Sequence, residues 1–330
     1  MARSKLQISG NDAAVIEAVK RAAASWTAEM RVCVALSGGV DSVVLLHAVA
    51  AQRNSLDSPW TLVAHHVHHG LSPNADSWVA QCELICSSLN VPVTVDRVQV
   101  DRKSPAGIEA AARSARYDSL DQVDAQIVLL AHHARDQAET VLLQLLRGSG
   151  APGLAAMPGS AGRYARPLLG VPKAAIMAYA TSHALTWVDD ESNADVRFAR
   201  NRLRAQVWPE LVRAFPSAEV TLSRAAAHQA DAATLLKDLA AIDAAQCVAN
   251  AALQLADFNA LSRPRRANVL RYWLATSSVD VPGSEPLREW LQQLASVEPT
   301  QSICLRCADG NTTIRVYRGA AFVVPDVPRW

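Results

Sequence analysis

The sequence predicts an α/β fold: a doubly wound parallel sheet, followed by a mainly helical second domain with a terminal β-hairpin. Three observations carry that prediction. Short β-branched runs alternate with helix-length segments through the first half, which is the pattern of βαβ units. The first run stops at Ser37-Gly38-Gly39-Val40-Asp41-Ser42, directly before an apolar helix. After Pro216 the alternation gives way to long helical segments, so the domains are expected at residues 1–216 and 217–330.

Each element follows from its local pattern. "RVCVAL" (Arg31 to Leu36) is a buried strand, and "DSVVLLHAVAAQ" behind the glycines is a helix. "WTLVAHHV" is a second strand; "ADSWVAQCELICSSL" is a helix with Trp78, Cys82 and Ile85 at helical spacing. "VPVTVDRVQV" alternates as a third strand, and "GIEAAARSARYDSLDQV" is a third helix. "AQIVLLAHH" and "DQAETVLLQLLRG" are the fourth strand and helix. Gly148 to Gly162, rich in Gly, Pro and small residues, reads as a flexible loop. "VPKAAIMAYATSHAL" is a helix with Pro172 at its start. A polar, then arginine-dense stretch runs from Asp189 to Leu211. Beyond the boundary lie a long helix (Ser217 to Gln246) whose apolar face includes Leu235, Leu239 and Ile242, and two shorter helices. Last come a strand, an Asp-Gly-containing turn and a strand, from Ser302 to Val324.

Bulk properties exclude several classes. Half of the 330 residues are hydrophobic, and the formal net charge is +1, so any nucleic-acid surface must be a local patch. No apolar run approaches the ~18 residues needed to span a bilayer. The amphipathic N-terminus lacks a signal-peptide core, and a cytoplasmic protein is expected. The six cysteines are too sparse for a disulfide framework. Cys304 and Cys307 form a lone CxxC without two further zinc ligands nearby.

In a parallel sheet, ligands bind beyond the C-terminal strand ends. The first strand ends at Ser37, the second near His65 and the fourth near His132, so those ends should converge. Ser37 to Ser42 suits an anion there: glycines let backbone amides approach it, and the helix N-terminus adds its dipole. The alternative is a tight turn with an N-capping side chain. Asp41 is a carboxylate able to hold Mg²⁺. The loop lacks the Gly-Lys-Ser/Thr ending of the common P-loop.

"SGGVDS" resembles the pyrophosphate loop of the N-type ATP pyrophosphatases, whose sheet is of the adenine nucleotide alpha hydrolase-like type. That resemblance implies that Ser37, Gly38, Gly39, Val40, Asp41 and Ser42 hold the β,γ-phosphates of ATP while an acceptor oxygen attacks the α-phosphate. Further segments stand in a fixed order: "HVHHGLSPNADSW", "EAAARSARY", "AHHARDQAETVLLQLLRGSGAPGLAAM", "RPLL" and "DDESNADVRFARNRLR". Together, over roughly residues 30–216, they resemble the tRNA(Ile)-lysidine synthetase family.

The resemblance implies a ligase that joins the amine of L-lysine to carbon 2 of the wobble cytidine in a CAU-anticodon tRNA(Ile). ATP is cleaved to AMP and pyrophosphate with Mg²⁺ as cofactor, the intermediate is an adenylated cytidine, and decoding changes from AUG to AUA. His65 and His66 are then expected near adenosine. His133 and Asp136 match the catalytic stretch, with Asp136 handling the amine proton or a magnesium ion; its alternative is a helix cap. Glu139 is the candidate for the lysine ammonium, or else merely complements the helix dipole. Arg113, spaced i, i+3 from Arg116, is expected at the activated nucleotide. Arg197, Arg200, Asn201, Arg202 and Arg204 form the expected tRNA-phosphate patch. The oligomeric state stays open, a homodimer included.

Some positions depart from the family pattern. Arg135 stands where an acid is common, Ser72 where arginine is frequent and His68 where asparagine is. Longer members carry a further C-terminal domain that is expected to be missing here. A tRNA thiolase would need a crevice cysteine, and a non-catalytic nucleotide sensor would not need the His133, Asp136 and arginine constellation.

Overall fold

The computed structural model describes residues 10–55, 60–105, 107–189, 195–297, 303–306 and 312–325. Residues 190–194 of the polar stretch, Cys307 and the Asp309-Gly310 turn lie outside them. By contacts the chain divides into a unit ending at Ala230 and one beginning at Asp231.

The first unit runs α1 (Gly10–Ala23), β1 (Arg31–Ala35), α2 (Val40–Ser55), β2 (Thr61–His68), α3 (Ala75–Ser88), β3 (Val93–Arg97), α4 (Ile108–Asp121), β4 (Ile127–Leu129) and α5 (Ala134–Leu146). It continues with α6 (Ala151–Leu154), β5 (Ser160–Ala161), β6 (Tyr164–Ala165), α7 (Lys173–Ser182), α8 (Ala199–Arg202), a π-helical turn over Leu203–Val207, α9 (Trp208–Ala214) and α10 (Ala218–Cys247), which crosses into the second unit. The strands order as β3-β2-β1-β4-β6-β5. All pairings are parallel except the terminal β5–β6 pair.

Strand alternation builds a core on each face. Val32 and Val34 of β1 point into the larger core, where Val44, Leu45 and Val49 of α2, Cys82 and Cys86 of α3, and Ile176 and Tyr179 of α7 meet them. Cys33 points the other way and packs with Val63, Val128 and Leu120 of α4. The sheet is therefore covered on both sides, which is why its central strands read as unbroken apolar runs. Strand order reverses between β1 and β4, and the crevice outside their carboxyl ends is the topological switch point.

Three expectations change. Gly148 to Gly162 is not a plain flexible loop. The Gln137 side chain accepts from the Met157 amide at 2.9 Å and donates to the Met157 carbonyl at 2.9 Å, and the segment contributes α6 and β5. The division between units falls inside α10 rather than before it, because the first turn of α10 is anchored to the α/β unit: Ala218 is buried, and Glu219 accepts the Lys173 backbone N–H at 2.7 Å.

The terminal hairpin is part of a larger sheet. In the second unit, β7 (Val248–Ala249), β8 (Ala252–Gln254), β9 (Cys304–Arg306), β10 (Thr312–Tyr317) and β11 (Ala320–Pro325) order as β7-β8-β11-β10-β9, all antiparallel. The tight turn between β10 and β11 is Arg318-Gly319, with both φ angles positive (49° and 72°), as two-residue hairpins of one mirror-image type require. The helices α11 (Leu255–Ala260), α12 (Arg263–Thr276) and α13 (Ser284–Ser296) supply Phe258, Trp273, Leu274, Trp290 and Leu294 to its core. Among the described residues no helix is long and apolar enough to cross a membrane.

Gly38 is the one loop glycine whose replacement meets two obstacles. Its φ is +88°, and an added Cβ would lie 3.2 Å from Cys82 Sγ. Gly38→Ala is expected to destabilise the α/β unit by about 1–2 kcal/mol from the backbone alone, read as a lowered urea midpoint of the first unit; an unchanged midpoint would show that the loop relaxes freely.

Candidate active site

The loop after β1 is fixed from below. The Leu36 amide donates to the His65 carbonyl at 2.9 Å, and His66 Nδ1 donates to the Leu36 carbonyl at 2.8 Å. The Val188 amide donates to the Gly38 carbonyl at 2.9 Å. Within the loop, the Ser37 amide donates to Ser42 Oγ at 3.2 Å, and Ser42 Oγ donates to the Gly39 carbonyl at 2.9 Å. The amides of Val40, Asp41 and Ser42 open α2, and as the first of a helix they have no intrahelical acceptor. Ser37, Gly39, Asp41 and Ser42 line a cavity shared with Ala131, His132, Asp136 and Arg116. Ala35 at the end of β1 and Leu130 just after β4 line it too, so loop and β4 end do converge there.

Two carboxylates that line this cavity meet one buried imidazole beside it. His133 Nε2 lies 3.5 Å from Asp41 Oδ2 and 3.5 Å from Asp136 Oδ2. His133 is 3% exposed, and its Nδ1 is buried without a hydrogen-bond partner. Asp136 Oδ2 also accepts the His133 backbone N–H at 3.0 Å, so the capping role and the cavity-facing position belong to one side chain. Asp41 Oδ1 takes the Lys173 ammonium at 2.5 Å. Burial alone would raise the Asp41 carboxyl, but the His133 hydrogen bond and charge, together with Lys173, bring it down to about 2.

The arginine segment divides by helical face. Arg200 and Arg204 turn inward onto α5. Arg200 Nε pairs with Glu139 Oε2 at 3.0 Å, and Arg204 Nε pairs with Glu139 Oε1 at 2.8 Å. Arg204 Nη2 reaches Asp136 Oδ1 at 2.8 Å. Arg200 Nη2 also donates to the Asp136 carbonyl and to Thr140 Oγ1. Arg197 and Arg202 stay exposed; Arg197 pairs with Asp195 at 2.7 Å, and Asn201 Nδ2 donates to the Asp195 carbonyl at 3.0 Å. The expected five-residue phosphate patch therefore splits. Residues four apart on a helix share a face, so 200 and 204 are drawn together to a side chain that is 0% exposed, Glu139. Glu139 itself has both oxygens occupied by guanidiniums, and holds arginines rather than presenting a free carboxylate. The π turn that carries Arg204 is an irregularity frequent at functional sites.

Arg113 does not line the cavity. Its guanidinium lies over the Tyr117 ring, 4.9 Å from the centroid, and donates to Tyr117 Oη. Arg116, one turn on, lines the cavity instead, and its Nε is buried without a hydrogen-bond partner. His65 is held by Thr94 Oγ1 at 2.7 Å and Ser119 Oγ at 2.9 Å. With His66 it lines a second, larger cavity that runs from Ser37 past Trp78 to Arg200 and Arg204. Burial keeps both imidazoles below their ordinary range. No group of three or more His, Cys, Asp or Glu among the described residues is arranged to hold a metal ion.

Arg135, in place of a family acid, points away from the cavity. Its guanidinium lies 5.4 Å over the Trp208 ring, and its Nε is 3.5 Å from Glu219 Oε2. Sequence reasoning overlooked Lys173 altogether, placed His132 at the strand end without giving it a role, and singled out Arg113 rather than Arg116. A lysine directly after a proline that opens a helix was the available signal for Lys173. Nothing local tells Arg113 from Arg116: both guanidiniums lie over the Tyr117 ring, and only the placement of the helix against the crevice leaves Arg113 exposed and Arg116 lining the cavity.

Fold and site define an α/β domain with a glycine loop and free helix-start amides at the switch point of a parallel sheet. The PP-loop domain family matches residues 12–211, and the chain belongs to that family. A TilS substrate binding domain matches residues 253–322. Among curated relatives, a tRNA(Ile)-lysidine synthase of Ralstonia nicotianae is 44% identical over 88% of this chain and 64% of its own length. One of Nitrosomonas europaea is 41% identical over 89% and 65%, and one of Chromobacterium violaceum is 44% identical over 84% and 65%. The chain thus spans just under two thirds of these relatives' length. The U34-tRNA thiolase NcsA from Methanococcus maripaludis, solved with its [4Fe-4S] cluster, shares the fold at TM-score 0.57 and 14% identity, over 66% of this chain and 79% of its own.

His132 gives a pH test. Burial pushes its imidazole down to about 3, aided by Arg116, Arg166 and Arg113 and opposed by Asp136. A folded value below the unfolded 6.5 means the unfolded chain binds the extra proton, so this contribution is complete above 6.5 and is lost as pH falls toward 3. His132→Gln is expected to flatten the decline of unfolding free energy between pH 6.5 and 5; an identical slope in the variant would remove His132 as its source.

Proposed function

We propose that this chain is a tRNA(Ile)-lysidine synthetase: an ATP-dependent ligase that joins lysine to carbon 2 of the wobble cytidine in a CAU-anticodon tRNA(Ile). The observation that carries the reading is the pair Asp41 and Asp136 on either side of His133, beside the open amides of α2. The names of the relatives support it, as does the match of a substrate-binding domain in the second unit.

Two steps use these residues. Cytidine O2 attacks the α-phosphorus of ATP, the bond to the bridging oxygen breaks, and pyrophosphate leaves into the cradle of Ser37 to Ser42. A poor electrophile thereby gains AMP as leaving group. The lysine amine then attacks carbon 2, AMP departs, and Asp136 takes the amine proton directly or through one water. Asp41 and Asp136 would hold a magnesium ion, which favours one or two carboxylates plus phosphate oxygens and would neutralise phosphate charge. The fit is supported by Asp41 already carrying a cation, the Lys173 ammonium. Arg116 faces the cavity as a donor for the nucleotide, the role first expected of Arg113. Arg200 and Arg204 hold Asp136 and Glu139 in place, which leaves exposed Arg197 and Arg202 as phosphate contacts for tRNA. The setting is the cytoplasm, where tRNA is modified.

A thiolase reading finds no support among the described cysteines, none of which lines either cavity. Cys82 lies behind Gly38, fully buried, and burial pushes its thiol up to about 12, whereas that chemistry needs an accessible thiolate.

With ATP and Mg²⁺, labelled lysine is expected to be attached to tRNA(Ile) with a CAU anticodon. Active protein that leaves this tRNA unlabelled would sink the proposal. Arg202→Ala is expected to raise the KM for tRNA several-fold and to lower the salt slope of binding by about one, with kcat unchanged; a salt slope equal to the parent's would show that Arg202 touches no phosphate.

A further inference from the structure

We infer that Lys173 is the cation of the phosphate cradle, contributing from a distant helix the charge that its loop sequence lacks. This rests on the ATP-using reading of the site given above. In the common P-loop a lysine within the loop reaches the β,γ-phosphates. Ser37 to Ser42 has none, yet a lysine ammonium sits 2.5 Å from Asp41 in the middle of it.

Three features make Lys173 a placed group rather than a surface pairing. Its side chain is 20% exposed. Its backbone amide is held by Glu219 Oε1 at 2.7 Å, and the other Glu219 oxygen lies 3.5 Å from Arg135, so the start of α7 is tied to the start of α5. Farther along, Tyr179 of α7 shares a hydrogen bond of 2.9 Å with His47 of α2. The helix that carries Lys173 is therefore locked against the helix that begins with Asp41.

The charges suggest an exchange. Without nucleotide, Asp41 is balanced by Lys173. With a nucleotide bound, Asp41 would be free to hold a divalent cation, which would neutralise phosphate charge there. The ammonium, a point charge on a flexible four-carbon stem, turns to the β,γ-phosphate oxygens and offsets the negative charge that grows on departing pyrophosphate. It keeps its proton throughout and makes no covalent bond. Its partner is therefore a pyrophosphate group, not the adenosine and not the α-phosphate alone.

The test compares ligands with and without that group on the full chain. Lys173→Met keeps the stem and removes the charge. In calorimetric titrations with Mg²⁺, it is expected to bind AMP as the parent does but inorganic pyrophosphate at least about tenfold more weakly, the scale of one lost charge-assisted hydrogen bond. Lys173→Arg, which keeps the charge, should recover much of that loss. Pyrophosphate affinity in Lys173→Met equal to the parent's would overturn the inference. So would an equal loss of AMP and pyrophosphate affinity, which would make the residue structural. None of these titrations needs lysine or tRNA. If the parent binds pyrophosphate through Lys173 yet attaches no lysine to tRNA, the inference stands and the ligase reading falls.

Discussion

Two carboxylates brought within reach of one buried histidine set the terms for the rest of this α/β unit. Asp41 and Asp136 come from different strand ends, β1 and β4, and each lies 3.5 Å from His133 Nε2. Like charges so placed repel, and burial penalises both. Each therefore has its own cation: Lys173 for Asp41, Arg204 for Asp136. Those cations fix where α7 and the α8 segment must lie, and much of the local architecture reads as support for them.

Glu139 extends that logic one turn deeper. It is the most completely buried acid of the site, and it receives Arg200 and Arg204 with one oxygen each. A buried ion pair adds little net stability over apolar packing, but removing one partner leaves an uncompensated charge at a cost of about 3–5 kcal/mol. The knot is thus better understood as a device that holds geometry. It ties α5, which carries Asp136, to the same segment whose outward face presents Arg197 and Arg202. Under the proposed function, the segment that contacts tRNA and the residue that moves the proton are joined by the Arg204–Asp136 pair.

Arg135 illustrates how a conspicuous departure can be harmless to the chemistry. Beside His133 in sequence, it looks like a lost catalytic acid. In space it leaves the cavity, covers Trp208 and pairs with Glu219. Glu219 in turn fixes the backbone of Lys173. The substitution thus feeds the cradle indirectly, through the anchoring of α7 and α10, while Asp136 keeps the cavity-facing place.

The sequence by itself determined the parallel sheet, its helices and the crevice at its strand ends. Strand runs, helical spacing and a Gly-Gly turn are local signals, and the order reversal beside β1 follows from topology. It also placed Asp41, His133 and Asp136 at one crevice, because each lies at or just beyond a strand end. Tertiary structure decided which side chains face that crevice. Arg113 and Arg116 are equivalent in pattern and both lie over Tyr117, yet only Arg116 lines the cavity. The five residues of the arginine stretch look alike in sequence, and only the buried Glu139 draws two of them inward. Lys173 is 132 residues from Asp41, so no spacing rule links them. A helix pattern shows which face of an element is apolar; the fold alone shows which charge, far along the chain, will meet another.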